Sequence, residues 1–138
     1  MGSAVAFVIF GKDNNRLYSA VNDKWQKFLY DIELFVMCSM DIIDEKAQKA
    51  NEKYLGSLFN DQKYKSFGFI SNTNLKMILV LEVQNNSIKD QDIRAIFQKF
   101  HSQYCNAISN PFYTFGTEIK SKYLDDAASS IFVNNTVS

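Results

Sequence analysis

Two segments of this sequence are apolar almost without interruption, and they constrain the fold more than any other feature. Residues 4–10 (AVAFVIF) are all apolar, and residues 75–83 (LKMILVLEV) carry only Lys76 and Glu82 as charged positions. Short apolar runs rich in branched and aromatic residues are typical of β-strands. A strand that is apolar on both faces is usually covered on both faces of its sheet. We therefore expect these two strands to lie side by side at the centre of a covered sheet.

Turn-forming residues separate three further strand candidates from these two. The predicted strands are residues 4–10, 16–21, 54–59, 64–70 and 75–83. Clusters of Gly, Asn, Asp and Ser separate them where they follow one another directly, at residues 11–15, 60–62 and 71–74. Connections this short make consecutive strands antiparallel.

Three stretches show the spacing of amphipathic helices. The first runs from about residue 23 to about residue 44, with Asn22 or Asp23 as its cap and no Gly or Pro to stop it before residue 53. Its predicted core stripe is Trp25, Phe28, Leu29, Ile32, Val36, Ser39, Met40 and Ile43. The second helix begins near Asp90, a plausible cap, and ends at Asn110-Pro111. The third spans residues 121–133.

The element order is therefore β-β-α-β-β-β-α-α, an α/β (α+β) arrangement. Two apolar strands that need cover on both faces predict a five-stranded antiparallel sheet with one helix on one face and two on the other. A chain of 138 residues is expected to form a single domain, residues 1–138.

Charge and cysteine content exclude several classes of function. Fifteen basic and fifteen acidic residues cancel, which argues against binding to nucleic acid or directly to a membrane surface through a basic face. No apolar run approaches the ~20 residues of a membrane-spanning helix. Cys38 and Cys105 lie far apart and form no zinc or redox motif, and the chain's one histidine, His101, has no catalytic partner implied by spacing. We expect no catalytic residues, no metal and no cofactor.

The first helix carries a second apolar strip outside its core stripe. At about 100° per residue, Tyr30, Leu34, Met37 and Asp41 fall together on the side that should meet water. An exposed apolar patch beside a charge is typical of a partner surface. The alternative is that the end of the helix or the connection at residues 45–53 folds back and covers the strip. Asp41 and Asp44 are neighbours on the helix surface, where carboxylates are solvated or meet basic residues of a partner.

The segment after the second helix contains two overlapping linear motifs. Asn110-Pro111-Phe112 is an Asn-Pro-Phe ligand, and with Tyr113 it also forms an Asn-Pro-x-Tyr sorting signal. Both require an accessible segment. Because Ile108, Phe112 and Phe115 favour burial, we interpret the segment as a helix stop with aromatic anchors.

Five segments, in this order along the chain, resemble the sedlin family of longin-fold proteins. They are residues 39–46 (SMDIIDEK), 54–56 (YLG), 64–69 (YKSFGF), 93–99 (IRAIFQK) and 110–113 (NPFY). Within the family, residues 54–56 and the pattern from Lys99 to His101 resemble the subunit 2-like branch more than sedlin itself.

The resemblance implies a non-catalytic adaptor subunit of the trafficking protein particle (TRAPP) complex, in endoplasmic reticulum-to-Golgi and intra-Golgi transport. Its partners would be other TRAPP subunits and, indirectly, a Rab GTPase that the assembly activates. It would be cytoplasmic, peripheral at the endoplasmic reticulum and Golgi, and membrane-bound only through the complex. The resemblance also links the aspartate at position 41 to partner contacts. The partner-binding residues are therefore predicted to be Tyr30, Leu34, Met37, Asp41 and Asp44.

Two other functions remain open. The first is a longin domain that regulates a SNARE or a coat assembly, although no heptad-repeat segment follows the predicted core. The second is a small-ligand binder or enzyme with a pocket that the sequence does not reveal.

Overall fold

The computed structural model describes residues 4–11, 13–49, 53–71, 75–83, 89–113, 118–119 and 122–133. The strands are β1 (Ala6–Phe10), β2 (Arg16–Val21), β3 (Tyr54–Asn60), β4 (Tyr64–Ile70) and β5 (Lys76–Glu82). The helices are a 3₁₀ helix (Asp23–Phe28), α1 (Leu29–Ala47), α2 (Asp90–Ile108) and α3 (Lys122–Val133). Each predicted element is present in the predicted order.

The five strands form one antiparallel sheet in the order β2-β1-β5-β4-β3. The two apolar strands β1 and β5 are hydrogen-bonded to each other, with Phe7 opposite Leu79 and Val8 opposite Ile78. Their expected position at the centre of the sheet is therefore confirmed.

Each face of the sheet has its own hydrophobic core. Because side chains alternate along a strand, Phe7 and Leu79 point to the face covered by α2 and α3, and Val8 and Ile78 point to the face covered by α1. On the first face the rings of Phe7 and Phe100 stack with centroids 3.7 Å apart. The arrangement confirms the predicted longin-like architecture.

The first predicted helix is in fact two helices of different geometry. Asn22 caps the 3₁₀ helix by accepting the N–H of Lys24 at 3.1 Å, and α1 begins at Leu29. A 3₁₀ helix advances by about 120° per residue rather than 100°, so one spacing does not hold across both helices. The prediction was wrong at Leu29, which lies at the junction and is 41% exposed, while Phe35, absent from the predicted stripe, is buried.

The start of α2 also differs from the prediction. Asp90 is the first residue of the helix rather than its cap, and the N–H of Lys89 is accepted by the carboxylate of Asp92 at 3.1 Å. The carboxylate of Asp90 instead accepts hydrogen bonds from Tyr54 at 2.7 Å and from Arg94 at 3.1 Å. Asp90 therefore connects α2 to β3, which a sequence pattern cannot reveal.

The segment after α2 corrects the predicted role of Phe112. This side chain is 92% exposed and anchors nothing, whereas Tyr113 packs against the core on the α2 face. A tight turn sends two adjacent side chains in different directions, so only one of these two aromatic residues reaches the core. Phe115 lies outside the described residues, as do residues 50–52 of the predicted 45–53 connection and residues 72–74 of the predicted 71–74 turn. None of the helices in the described part of the chain is long and apolar enough to cross a membrane.

Candidate functional site

The outer face of α1 carries an exposed apolar strip, which we call the α1 strip: Tyr30, Leu34 and Met37. These side chains are 75%, 50% and 59% exposed. The opposite side of the same helix buries Ile32 and Ile43 against the sheet. The helix is thus apolar on two sides, and only one of them is used by the core. The described residues nearest the end of α1 (48–49 and 53) leave the strip open.

The two predicted carboxylates differ in their surroundings. Asp41 is exposed one helical turn beyond Met37, in line with the α1 strip. Asp44 is half exposed, and its Oδ1 accepts a hydrogen bond from Nζ of Lys76 at 2.6 Å. The structure therefore groups Tyr30, Leu34, Met37 and Asp41 on one face and shows Asp44 engaged within the chain.

A groove of about 350 Å³ runs beside the strip, between α1 and the β3–β4 hairpin. Leu34 and Cys38 form the α1 side, and Phe59 and Lys63 form the hairpin side. The hairpin turn is fixed because Oδ1 of Asp61 accepts the N–H groups of Lys63 and Tyr64, both at 2.7 Å. No local sequence pattern indicates the hairpin side of this groove, because the pairing of α1 with the hairpin is a tertiary contact.

One buried polar atom lies beside this groove. Tyr64 lines it, is 2% exposed, and its hydroxyl finds no hydrogen-bond partner among the described residues. Burial raises the pKa of this hydroxyl, and the carboxylates of Asp31 and Asp61 raise it further, so it stays neutral and can donate. Buried hydroxyls usually have a hydrogen-bond partner, so the Tyr64 hydroxyl is an exception among the buried polar groups of the described residues.

The charges around the strip and groove are mixed. Lys27 and Lys63 lie over the ring of Phe28, with Nζ 5.2 and 5.3 Å from its centroid. Asp31 and Asp41 are exposed on α1 itself. An apolar centre with charged groups of both signs around it is typical of a surface that binds another protein.

A larger cavity of about 670 Å³ lies on the other face of the sheet, between α2 and β3. Its lining includes His101 and Cys105. The imidazole of His101 packs near the rings of Phe69 and Tyr104, with centroids 5.9 and 6.4 Å away. Burial lowers the pKa of this imidazole, and the charge of Lys53 lowers it further. Within the described ranges, no three His, Cys, Asp or Glu side chains come close enough to hold a metal ion.

Comparison with known families gives one match that spans most of the chain. The family model described as sedlin matches residues 9–134. This range contains the α1 strip, the groove, the larger cavity and the turn after α2.

Individual relatives match over nearly their full lengths. The trafficking protein particle complex subunit 2-like protein of Xenopus tropicalis is 32% identical over 94% of this chain and 97% of its own length. The protein of the same name from Rattus norvegicus has the same identity and coverage. That of Dictyostelium discoideum is 34% identical over 88% of this chain and 91% of its own length. Similarity therefore extends to relatives from distant organisms.

Proposed function

Because this chain belongs to the sedlin family, we propose that it is a non-catalytic adaptor subunit of a trafficking protein particle complex. The names of the three relatives reported above support an assembly role, since each is called a trafficking protein particle complex subunit 2-like protein. We propose that a neighbouring subunit binds the α1 strip together with Asp41, Asp44 and the adjoining groove.

The proposal extends to the role of the assembly. We propose that the chain acts in endoplasmic reticulum-to-Golgi and intra-Golgi transport, within an assembly that activates a Rab GTPase. It would be cytoplasmic and would reach membranes only through the complex. A formal net charge of zero supports indirect membrane contact, because a protein that binds anionic lipids by itself usually carries a basic face.

The observation that carries the interface is the exposure of three large side chains on a helix whose other side is already buried. Full burial of a Leu or Met side chain contributes about 1.5–3 kcal/mol. Within the chain, this burial free energy is largely absent for Tyr30, Leu34 and Met37, because at least half of each side chain is exposed. A partner that covers the strip would provide that burial free energy. Asp41, at the end of the strip, would help to set the orientation of the partner.

Substitutions within this surface test the proposal. Leu34→Asp and Asp41→Tyr should each reduce co-purification of neighbouring TRAPP subunits, while circular dichroism and melting temperature stay nearly unchanged. Ala95→Asp is the matched control for Leu34→Asp, since it also places a carboxylate at an exposed helical position, but on α2. This control should retain the partner.

Mass spectrometry of the co-purified proteins identifies the assembly. TRAPP subunits that are lost with Leu34→Asp support both the assembly and the interface. SNAREs or coat subunits in their place would contradict the proposed function. Co-purification of TRAPP subunits at the wild-type level by both Leu34→Asp and Asp41→Tyr would show that the interface lies elsewhere.

A further inference from the structure

The turn that follows α2 has a fixed local geometry. Oδ1 of Asn110 accepts the N–H of Phe112 at 2.9 Å, and the carbonyl oxygen of Asn110 accepts the N–H of Tyr113 at 3.0 Å. Pro111 lies between them, and its ring fixes φ near −65°. The three residues of the Asn-Pro-Phe motif thus form an Asx turn inside a β-turn.

Both ends of this turn are attached to the folded core. On the α2 side, the N–H of Asn110 donates to the carbonyl of Ala107 at 3.3 Å, and the hydroxyl of Ser109 donates to the carbonyl of Cys105 at 2.8 Å. On the other side, Tyr113 packs against the hydrophobic core that lies on the α2 face of the sheet. Hydrogen bonds on one side and the packing of Tyr113 on the other therefore connect the turn to the folded core.

Phe112 projects from this turn into solvent. It is 92% exposed, the highest value among the exposed large hydrophobic side chains of the described residues. Single apolar side chains are common on protein surfaces, so exposure alone does not indicate a function. Phe112 differs because it is the third residue of an Asn-Pro-Phe motif whose turn is already formed.

We propose that the Asn110-Pro111-Phe112 turn is a recognition element for a domain of another protein that binds Asn-Pro-Phe ligands. The partner would supply a small apolar pocket for the phenyl ring and polar groups for the exposed turn. A preformed turn reduces the conformational entropy lost on binding, so this chain should bind better than a flexible peptide of the same sequence.

The structure also separates the two overlapping motifs. A domain that binds Asn-Pro-x-Tyr motifs requires the tyrosine, but Tyr113 is half buried against the core. A domain that binds Asn-Pro-Phe motifs requires the phenylalanine, which is exposed. The turn therefore leaves the Asn-Pro-Phe motif accessible, whereas the tyrosine of the Asn-Pro-x-Tyr motif is not fully accessible.

This surface is independent of the α1 strip. The turn follows α2, which packs on one face of the sheet, whereas α1 packs on the opposite face. The chain could therefore bind a subunit at the α1 strip and an Asn-Pro-Phe-binding domain at the turn at the same time. The inference thus goes beyond the proposed function and can fail separately from it.

The test uses competition with the full chain. A fluorescent Asn-Pro-Phe peptide is bound to a purified EH domain, the class of module that binds such peptides, and the unlabelled chain is added. The wild-type chain should displace the peptide at a lower concentration than the unlabelled peptide 108–114 does. Phe112→Ala and Asn110→Ala should each weaken displacement by at least about tenfold. Tyr113→Phe, which keeps the ring in the core, should displace the peptide as the wild type does.

Three results would overturn the inference. Failure of the wild-type chain to displace the peptide at any concentration would show that the EH domain does not bind the turn. A melting temperature several degrees lower for Phe112→Ala would show that the ring supports the fold. Loss of co-purified TRAPP subunits with Phe112→Ala would instead assign this ring to the assembly interface.

Leu34→Asp is the control for independence from the α1 strip, and it should leave peptide displacement unchanged.

Discussion

Nζ of Lys76 lies 2.6 Å from Oδ1 of Asp44, and this ion pair joins the centre of the sheet to the end of α1. The lysine side chain is only 9% exposed, whereas the aspartate side chain is 49% exposed. Nζ also donates to Oδ1 of Asn14, in the β1–β2 turn, at 2.6 Å. The buried ammonium group of Lys76 is thus stabilised by a carboxylate on α1 and by a side-chain oxygen in the β1–β2 turn. The same pair distinguishes Asp44 from Asp41, although both lie on the same helix.

Asp44→Asn should lower the free energy of unfolding by about 1 kcal/mol. A buried charge that loses its partner is strongly destabilising, but this carboxylate is half exposed, so water screens part of the interaction. The amide keeps an oxygen that can accept a hydrogen bond from Lys76, which also limits the loss. Urea denaturation at neutral pH measures the change.

Two further variants identify the cause of that change. Asp41→Asn should alter stability by less than about 0.5 kcal/mol, because Asp41 is exposed. Adding Lys76→Met to Asp44→Asn should recover part of the lost stability, since no buried charge then remains. If the double variant is less stable than Asp44→Asn alone, the uncompensated ammonium is not the source of the loss.

The buried hydroxyls of Ser39 on α1 and Ser66 on β4 should prove energetically coupled. Their oxygens lie 2.7 Å apart, and both side chains are fully buried. Either Ser→Ala variant should cost about 1–2 kcal/mol, because it weakens the hydrogen bonding of a hydroxyl in the core. The double variant should cost less than the sum, since it leaves no hydroxyl behind. A double-mutant cycle from urea unfolding measures the coupling, and additive losses would show that the two hydroxyls do not interact.

Local sequence patterns were sufficient to predict the layers of the fold and the positions of the α1 strip residues. The central pairing of β1 with β5 follows from two strands that are apolar on both faces. The strip follows from the spacing of Tyr30, Leu34 and Met37, because α1 is a regular helix over those residues. In both cases the signal repeats along a short stretch of chain.

The features that the sequence analysis missed depend on tertiary contacts or on backbone geometry. The Lys76–Asp44 pair joins residues 32 apart, and nothing near either residue indicates the other. Leu29 was placed in the core because the change from 3₁₀ to α-helix has no strong sequence signal. Hydrophobicity favoured burial of Phe112, but the turn directs Tyr113 to the core and leaves Phe112 exposed.

Gly56→Ala should lower the free energy of unfolding by about 1–2 kcal/mol. Gly56 lies in β3 at a register irregularity and has a φ of 77°, in the left-handed region. A Cβ at this position would meet no atom within 4 Å, so the cost is one of backbone conformation and not of crowding. Chemical denaturation of the variant measures it.

Gly56→Asn provides the control for that interpretation. Asparagine tolerates the left-handed region better than alanine, so this larger side chain should cost less than alanine does. Equal losses in both variants, or a larger loss with asparagine, would contradict a conformational cause.

Protonation of His101 should destabilise the fold below neutral pH. Burial, with the charge of Lys53, lowers the pKa of His101 in the folded chain below its usual 6.5, so the unfolded chain binds the proton more tightly. Stability should therefore be complete above pH 6.5 and should decline as the pH falls from there through the folded-state pKa. This is the chain's one histidine, and ordinary carboxylates titrate near pH 4, so His101→Gln should remove most of the change between pH 7.5 and 5.5. Urea unfolding at those two pH values compares the variant with the wild type. An equal decline in both proteins would assign the pH dependence to other groups.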